Sequence, residues 1–203
     1  MNDFIRSSAL LLVLLNPFLV SIYLMGVIQR LERRQFTYVL VRAGLIASSV
    51  FCGFAILGDT VFSNIVQAEF ASFQIFGGVI FLLIGLQFVF HGPTAIKLLR
   101  GKPEHLAGAI AMPVLIGPGT ISASIIVGKR QDPVSACAAI LLAVFISIVL
   151  ILIFKAIHDY VLPRRELLIE RYIEIAGRIS ALFVGTVSIE MIMQGVRTWV
   201  EKF

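Results

Sequence analysis

Several long stretches of this chain contain no charged residue, and they restrict it to a lipid environment. Residues 7–29, 70–96 and 105–128 hold no Asp, Glu, Lys or Arg. Hydrophobic residues make up 59% of the 203 residues and charged residues 14%, whereas a soluble domain carries about 45–50% and about 25%. Since a core of this size cannot hide so much apolar surface from water, the composition excludes a soluble enzyme, a disordered chain and a nucleic-acid-binding module.

Six stretches are long and apolar enough to cross a bilayer as helices. A spanning helix needs roughly 20 mostly apolar residues, and because lipid satisfies no backbone amide, only helices and closed barrels cross it. The period-two alternation of barrel strands is absent from the sequence. We therefore predict an all-α membrane protein, a single transmembrane domain over residues 1–203 with six transmembrane helices. The predicted spans are 8–28, 39–62, 70–90, 106–127, 133–154 and 175–196.

The basic residues predict the orientation of the chain. If all six spans cross, one side carries five Lys or Arg residues and the other carries eleven, so the positive-inside rule places both termini outside the cytoplasm. The segment before the first span is not net positive, and no small-x-small cleavage site follows it, so we expect a span rather than a signal peptide. The five basic residues are Arg6, Lys129, Arg130, Arg197 and Lys202; the eleven are Arg30, Arg33, Arg34, Arg42, Lys97, Arg100, Lys102, Lys155, Arg164, Arg165 and Arg171.

The two halves of the chain, 1–96 and 97–203, repeat a pattern at an offset of 100 or 101 residues. A proline interrupts the first span and another interrupts the fourth. Because each half has three spans, an odd number, the second half enters the membrane from the opposite side. This predicts an inverted repeat, an architecture common in secondary transporters. The matching residues are Pro17 and Pro118, Ser21 and Ser122, Ile75 and Ile175, Gly77 and Gly177, Leu82 and Leu182, and Gly85 and Gly185.

The two prolines predict helix breaks inside the bilayer. Proline lacks an N–H and clashes with the carbonyl four residues earlier, and Asn16, just before Pro17, is a preferred helix N-cap. A half-helix that begins in the membrane presents free N–H groups that suit a carboxylate, while the freed carbonyls suit an ammonium or a cation. The alternative is that both prolines are packing kinks. The predicted site residues are Asn16, Pro17, Phe18, Ser21, Gly117, Pro118, Gly119, Thr120 and Ser122.

Glu190 and Gln74 are the candidates for ion coupling. Glu190 lies inside the sixth span, where an ionisable residue is a functional candidate by default. The alternative is that Gln194 and Arg197, on the same helical face, lead an ion-paired carboxylate to the outer surface. Gln74, like Gln87, is alternatively an interhelical hydrogen-bonding residue.

The cysteines and histidines indicate no metal or cofactor. Cys52 and Cys137 sit in apolar runs without metal-ligand spacing, so we predict that they are small buried hydrophobic residues. No nucleophile–base pair and no phosphate-binding loop is present, so no enzymatic activity is expected.

At these residues the sequence resembles the MarC family of integral membrane proteins, within the lysine-exporter-like superfamily. The resemblance runs through essentially the whole chain and implies a six-helix inner-membrane protein, with SnatA-type members that transport neutral amino acids, glycine included, on an ion gradient. Leu19, Ile22 and Glu190 depart from the family pattern, so the same substrate does not follow. The motifs that carry the resemblance are Asn16-Pro17, Gly58-Asp59, residues 73–78 (FQIFGG), residues 113–122 (PVLIGPGTIS) and Gly195-Val196-Arg197.

The breaks and the resemblance together predict a secondary transporter of small neutral amino acids, the glycine, alanine and serine class. We expect alternating access, a coupling proton or sodium ion, and a prokaryotic plasma (inner) membrane, with no nucleic-acid partner. Two alternatives are a nonenzymatic membrane scaffold or regulatory protein, and an ion exporter. An exporter of metal ions needs several deep ligands, and only Glu190 lies clearly within a span.

Overall fold

The structure is a computed structural model that describes residues 2–58, 70–91, 103–161 and 166–201. These residues contain no β-strand, which confirms the prediction of an all-α chain. A π-helix, Ile110–Leu115, lies between α6 and α7. The α-helices are α1 (Asn2–Leu15), α2 (Pro17–Tyr23), α3 (Met25–Arg30), α4 (Arg33–Leu57), α5 (Phe70–His91), α6 (Pro103–Ala109), α7 (Pro118–Arg130), α8 (Pro133–Val161) and α9 (Glu166–Val200).

Four segments of the described chain are long and apolar enough to cross a membrane. They are Asp3–Tyr23, Arg33–Leu57, Phe70–Gln87 and Pro133–Tyr160, and they match the first, second, third and fifth predicted spans. The fourth predicted span is divided among α6, the π-helix and α7, and the sixth lies within α9. Residues 59–62 of the second span, and the predicted boundary between the halves at 96 and 97, lie outside the described residues.

The second long helix of each half begins and packs alike. α4 begins at Arg33 and α8 begins at Pro133, and in both cases two residues separate the helix from the one before it. Each turns an equivalent face inward, so that the core lies between them, and Gly44 of α4 faces Val144 and Ile148 of α8. The buried pairs that recur at an offset of 100 are Phe36 and Ala136, Val39 and Ala139, Leu40 and Ile140, Ala43 and Ala143, Ala47 and Ser147, and Phe51 and Ile151.

The helices α5 and α9 pack closely in opposite directions. A Cβ added at Gly78, in α5, would lie 2.8 Å from the carbonyl oxygen of Ser188, and one at Gly195, in α9, would lie 2.8 Å from that of Ala71. Gly85 also lies against the α9 backbone. Because glycine carries no side chain, the two helix backbones approach within a distance that any larger residue would prevent.

The helix α8 runs in the same direction as the α1–α3 segment. Near the start of both, Gln131 Nε2 donates to the carbonyl oxygen of Asp3 at 3.0 Å. Near their other end, the buried Lys155 Nζ donates to the carbonyl oxygen of Ile28 at 2.7 Å and to Asp159 Oδ1 at 2.7 Å. The ammonium group thus caps the C-terminal end of α3 and ties it to α8.

An equivalent contact joins α7 to α4. A Cβ at Gly128 would lie only 1.8 Å from the carbonyl oxygen of Ala55, so the C-terminal ends of these two helices touch. Gly128 and Ala55 are the counterparts, 100 residues away, of Ile28 and Lys155. The two halves therefore make matching contacts with each other at their first and second helices.

Candidate functional site

The first helix break lies at Asn16, between α1 and α2. Asn16 has φ 41° and ψ 72°, in the left-handed region, and its side-chain Oδ1 accepts a hydrogen bond from Leu19 N–H at 3.2 Å. Asparagine tolerates this backbone conformation better than most residues because its short amide can bond locally. The predicted break after Leu15, the Asn16 cap and the new helix start at Pro17 are all confirmed.

The second break is longer and has two parts. Met112, which precedes Pro113, has extended φ and ψ (−126°, 121°) inside the π-helix, as expected for a residue before proline. Gly117 is also extended, and α7 then begins at Pro118. Thr120 Oγ1 accepts from Gly117 N–H at 2.9 Å. The second predicted break is therefore confirmed as well.

Both breaks open into one cavity of about 230 Å³. Its walls come from the end of α1, from α2, from the π-helix and the start of α7, and from one face each of α5 and α9. Asn16 lines it at the first break, and Gly117, Gly119 and Thr120 line it at the second. Two segments that are about 100 residues apart in the sequence thus border the same cavity, which is partly open at its surface.

The end of α1 supplies hydrogen-bond acceptors beside this cavity. Pro17 has no N–H to donate to the carbonyl of Val13, and Leu19 N–H donates to Asn16 instead of to the carbonyl of Leu15. Val13 and Leu15 both line the cavity. Their backbone carbonyls therefore end α1 without helical partners, at the negative pole of its dipole.

The start of α7 supplies donors beside the same cavity. Pro118 occupies the first position of α7, and the next two residues, Gly119 and Thr120, carry N–H groups that have no carbonyl partner within the helix. Both residues line the cavity. A helix start of this kind suits a carboxylate and a helix end suits an ammonium, so the pair of breaks is chemically suited to a zwitterion.

Five of the predicted site residues do not line the cavity. Phe18 lies against Phe154, with ring centroids 5.8 Å apart, and is 54% exposed. Ser21 Oγ donates to the carbonyl oxygen of Pro17 at 2.7 Å, within its own helix. Pro118 is buried against Gly77, where an added Cβ would lie 1.9 Å from its ring. The five residues are Pro17, Phe18, Ser21, Pro118 and Ser122.

Sequence reasoning missed several residues that do line the cavity. Tyr23 is one of them. It lies three residues after Val20 and seven after Asn16, and this spacing puts all three residues on one helical face. The spacing is the sequence feature from which its place in the lining could have been predicted. Phe81 and Gln87 line the cavity from α5; for Gln87 the sequence leaves a site role open beside an interhelical hydrogen bond. No comparable pattern in the sequence predicts which residues of α9 line the cavity.

The two candidates for ion coupling lie away from the cavity lining. Glu190 is exposed on α9, and its Oε1 accepts from Gln194 Nε2 at 3.0 Å, which matches the surface-directed alternative for this stripe. Gln74 is half-buried on α5. A coupling role for either residue stays a prediction. Among the described residues no group of three or more His, Cys, Asp or Glu side chains could hold a metal ion.

Comparison with known proteins indicates the same class of molecule. Residues 1–200 match the model of a family described as MarC family integral membrane protein. The chain is 26% identical to the UPF0056 inner membrane protein YhgN of Escherichia coli K12, over 99% of this chain and 100% of that protein. It is also 22% identical to a UPF0056 membrane protein of Aquifex aeolicus, over 96% and 92% of the two chains.

A third relative, a UPF0056 membrane protein of Methanocaldococcus jannaschii, is 23% identical over 96% of each chain. No solved structure matches this chain. The names of these relatives state a location in the membrane and no activity.

Proposed function

The chain belongs to the MarC family of integral membrane proteins, and we propose that it is a secondary transporter of neutral amino acids. The single observation that carries this proposal is the cavity of about 230 Å³ into which both helix breaks open. Unpartnered carbonyls at the end of α1 would hold the ammonium, and the N–H groups of Gly119 and Thr120 would hold the carboxylate. The substrates expected from the sequence are glycine, alanine and serine.

The proposal includes six membrane crossings arranged as an inverted repeat. Three observations support it: the recurrence of helix starts and buried faces after 100 residues, the opposed directions of α5 and α9, and the matching contacts of α3 with α8 and of α7 with α4. In such repeats the substrate site lies near the bilayer midplane, and one half moves against the other to alternate access.

The proposal also includes a location and an orientation. The Escherichia coli relative is named as an inner membrane protein, which supports the same membrane for this chain, and the excess of basic residues on one side favours both termini outside the cytoplasm. We propose that a proton or sodium gradient drives transport and that the protein is not an enzyme.

Transport by purified protein in liposomes tests the proposal. Labelled glycine, alanine, serine, valine and leucine are offered under a proton gradient and under a sodium gradient, and thermal stabilisation by each amino acid is measured in parallel. We expect gradient-driven accumulation of at least one of them. No accumulation, together with no stabilisation by any amino acid, would contradict transport and favour the scaffold alternative. Stabilisation by inorganic cations alone would favour the ion exporter.

Two threonines provide a matched pair for the site. Thr120→Val removes the hydroxyl that accepts from Gly117 N–H, whereas Thr186→Val removes an exposed hydroxyl on α9 that donates to its own helix. Because a buried donor is left without its acceptor only in the first variant, we expect about tenfold weaker amino acid binding for Thr120→Val and unchanged binding for Thr186→Val.

Glu190→Gln tests the proposed ion coupling. The variant should abolish the dependence of transport on the pH gradient, and unchanged gradient-driven uptake would remove the coupling role of Glu190.

A further inference from the structure

The side walls of the cavity differ in chemistry from its ends. The polar backbone groups lie at the two helix breaks, whereas the faces of α5 and α9 present apolar side chains. From α5 these are Phe81 and Ile84, with Gln87 as the one polar side chain of that face in the lining, and from α9 they include Val184, Val187 and Met191. A ligand whose charged groups sit at the breaks therefore places the rest of its structure against an apolar surface.

The volume of the cavity indicates how large a ligand would fill it. An apolar cavity of about 150 Å³ holds one benzene molecule, so the observed 230 Å³ holds about nine non-hydrogen atoms by the same ratio. Leucine and isoleucine have this size. Glycine would fill only about half of the space, leaving the apolar walls without a partner or in contact with poorly bonded water.

We propose that the preferred substrate is a neutral amino acid with an aliphatic side chain of three or four carbons, the valine, leucine and isoleucine class. This inference rests on the proposed function and changes the expected substrate from the glycine, alanine and serine class. The ammonium and carboxylate groups bind at the breaks, and the side chain packs between α5 and α9. A serine hydroxyl placed against these apolar side chains would lose its water hydrogen bonds without replacement, which disfavours it.

Gly119 determines how large the side chain can be. It lines the cavity, and a Cβ added there would meet no atom within 4 Å, so a larger residue fits without moving the backbone. We expect the added side chain to occupy part of the cavity and so to reduce the space left for the substrate. Gly53, in α4, is also open by the same measure but does not line the cavity, and it provides a matched control.

Binding of an amino acid series to the purified protein tests the inference. Affinities for glycine, alanine, serine, valine and leucine are measured by calorimetry or by thermal shift. Each buried methylene strengthens binding about fourfold, so we expect leucine to bind about 50-fold more tightly than alanine. Gly119→Val should reverse the order in favour of alanine, and Gly53→Val should leave it unchanged. If Gly119→Val does not fold, Gly119→Ala should still weaken leucine binding selectively.

The outcomes separate this inference from the function on which it rests. Binding of glycine or serine more tightly than leucine would leave a neutral amino acid transporter in place and overturn the aliphatic preference. An unchanged order of affinities in a folded Gly119 variant would overturn the role of Gly119. Failure of every amino acid to bind would contradict the proposed function itself.

Discussion

At the scale of single residues, the first break depends on one asparagine that satisfies two requirements. Asn16 is the only non-glycine residue with positive φ in the part of the chain that the structure describes, and its side chain caps Leu19 N–H. The capping role follows from its place before Pro17. The left-handed backbone does not, because an N-cap ordinarily has extended φ and ψ.

Two substitutions at Asn16 separate these requirements. Asn16→Ala removes the cap and also the side-chain amide that makes the left-handed backbone tolerable, so we expect the free energy of unfolding to fall by about 2 kcal/mol. Asn16→Gly also removes the cap but adopts positive φ without strain, so the expected loss is a few tenths of a kcal/mol. Thermal unfolding in detergent measures both. Equal losses for the two variants would show that the backbone conformation contributes nothing.

At the scale of helices, small residues permit the contacts that bring the breaks together. The structure shows close helix contacts at the Gly77-Gly78 pair and at Gly85. It also reveals partners that the sequence could not identify. Gly77 accommodates Pro118 itself, so α5 packs directly on the start of α7, and a Cβ at Gly117 would lie 2.9 Å from the Phe81 ring.

Gly128 offers the sharpest test of such a contact. In Gly128→Ala the new methyl group would lie 1.8 Å from the carbonyl oxygen of Ala55, and because backbone cannot yield as a side chain does, α4 and α7 must separate. We expect a loss of about 1–3 kcal/mol in the free energy of unfolding. Gly53→Ala, in open space within α4, should instead stabilise by about 0.5–1 kcal/mol. Equal thermal midpoints for the two variants would contradict the described packing.

At the scale of the whole molecule, the two halves form one structure around a shared core. α4 and α8 pack through equivalent faces, and the broken segments of both halves border the same cavity. The six crossings that we propose are an even number, so they would return the chain to its starting side of the membrane.

Reporter fusions test this topology. Alkaline phosphatase, which folds only outside the cytoplasm, should be active when fused after residue 203, and green fluorescent protein should be dark there. The same reporters inserted between residues 97 and 102 should give the opposite result, because that segment belongs to the side with eleven basic residues. The reverse pattern would contradict the orientation, and matching signals from both positions would contradict the odd number of crossings between them.

The sequence was most informative where structure is determined locally. Uncharged stretches of more than 20 residues leave the backbone no solution but helix in lipid, and proline breaks a helix wherever it occurs in its interior. The helical class, four of the six spans and both break positions were therefore predictable from residues close to one another in the chain.

The residues that line the cavity could be predicted only in part from the sequence. Asn16, Gly117, Gly119 and Thr120 line it, whereas Phe18 and Ser21 of the same segments turn away. A helix that is apolar all round carries no pattern that indicates its inward face. Which side chains of α5 and α9 enter the cavity follows from the rotation of each helix about its axis, and that rotation is set by contacts between residues far apart in the chain.

The sequence alone thus determined that this chain is a helical membrane protein interrupted at two related positions, because hydropathy and proline chemistry act over a few residues. Only the tertiary structure decided that the two interruptions share one cavity and that its walls are apolar, because both facts arise from packing between segments separated by about 100 residues.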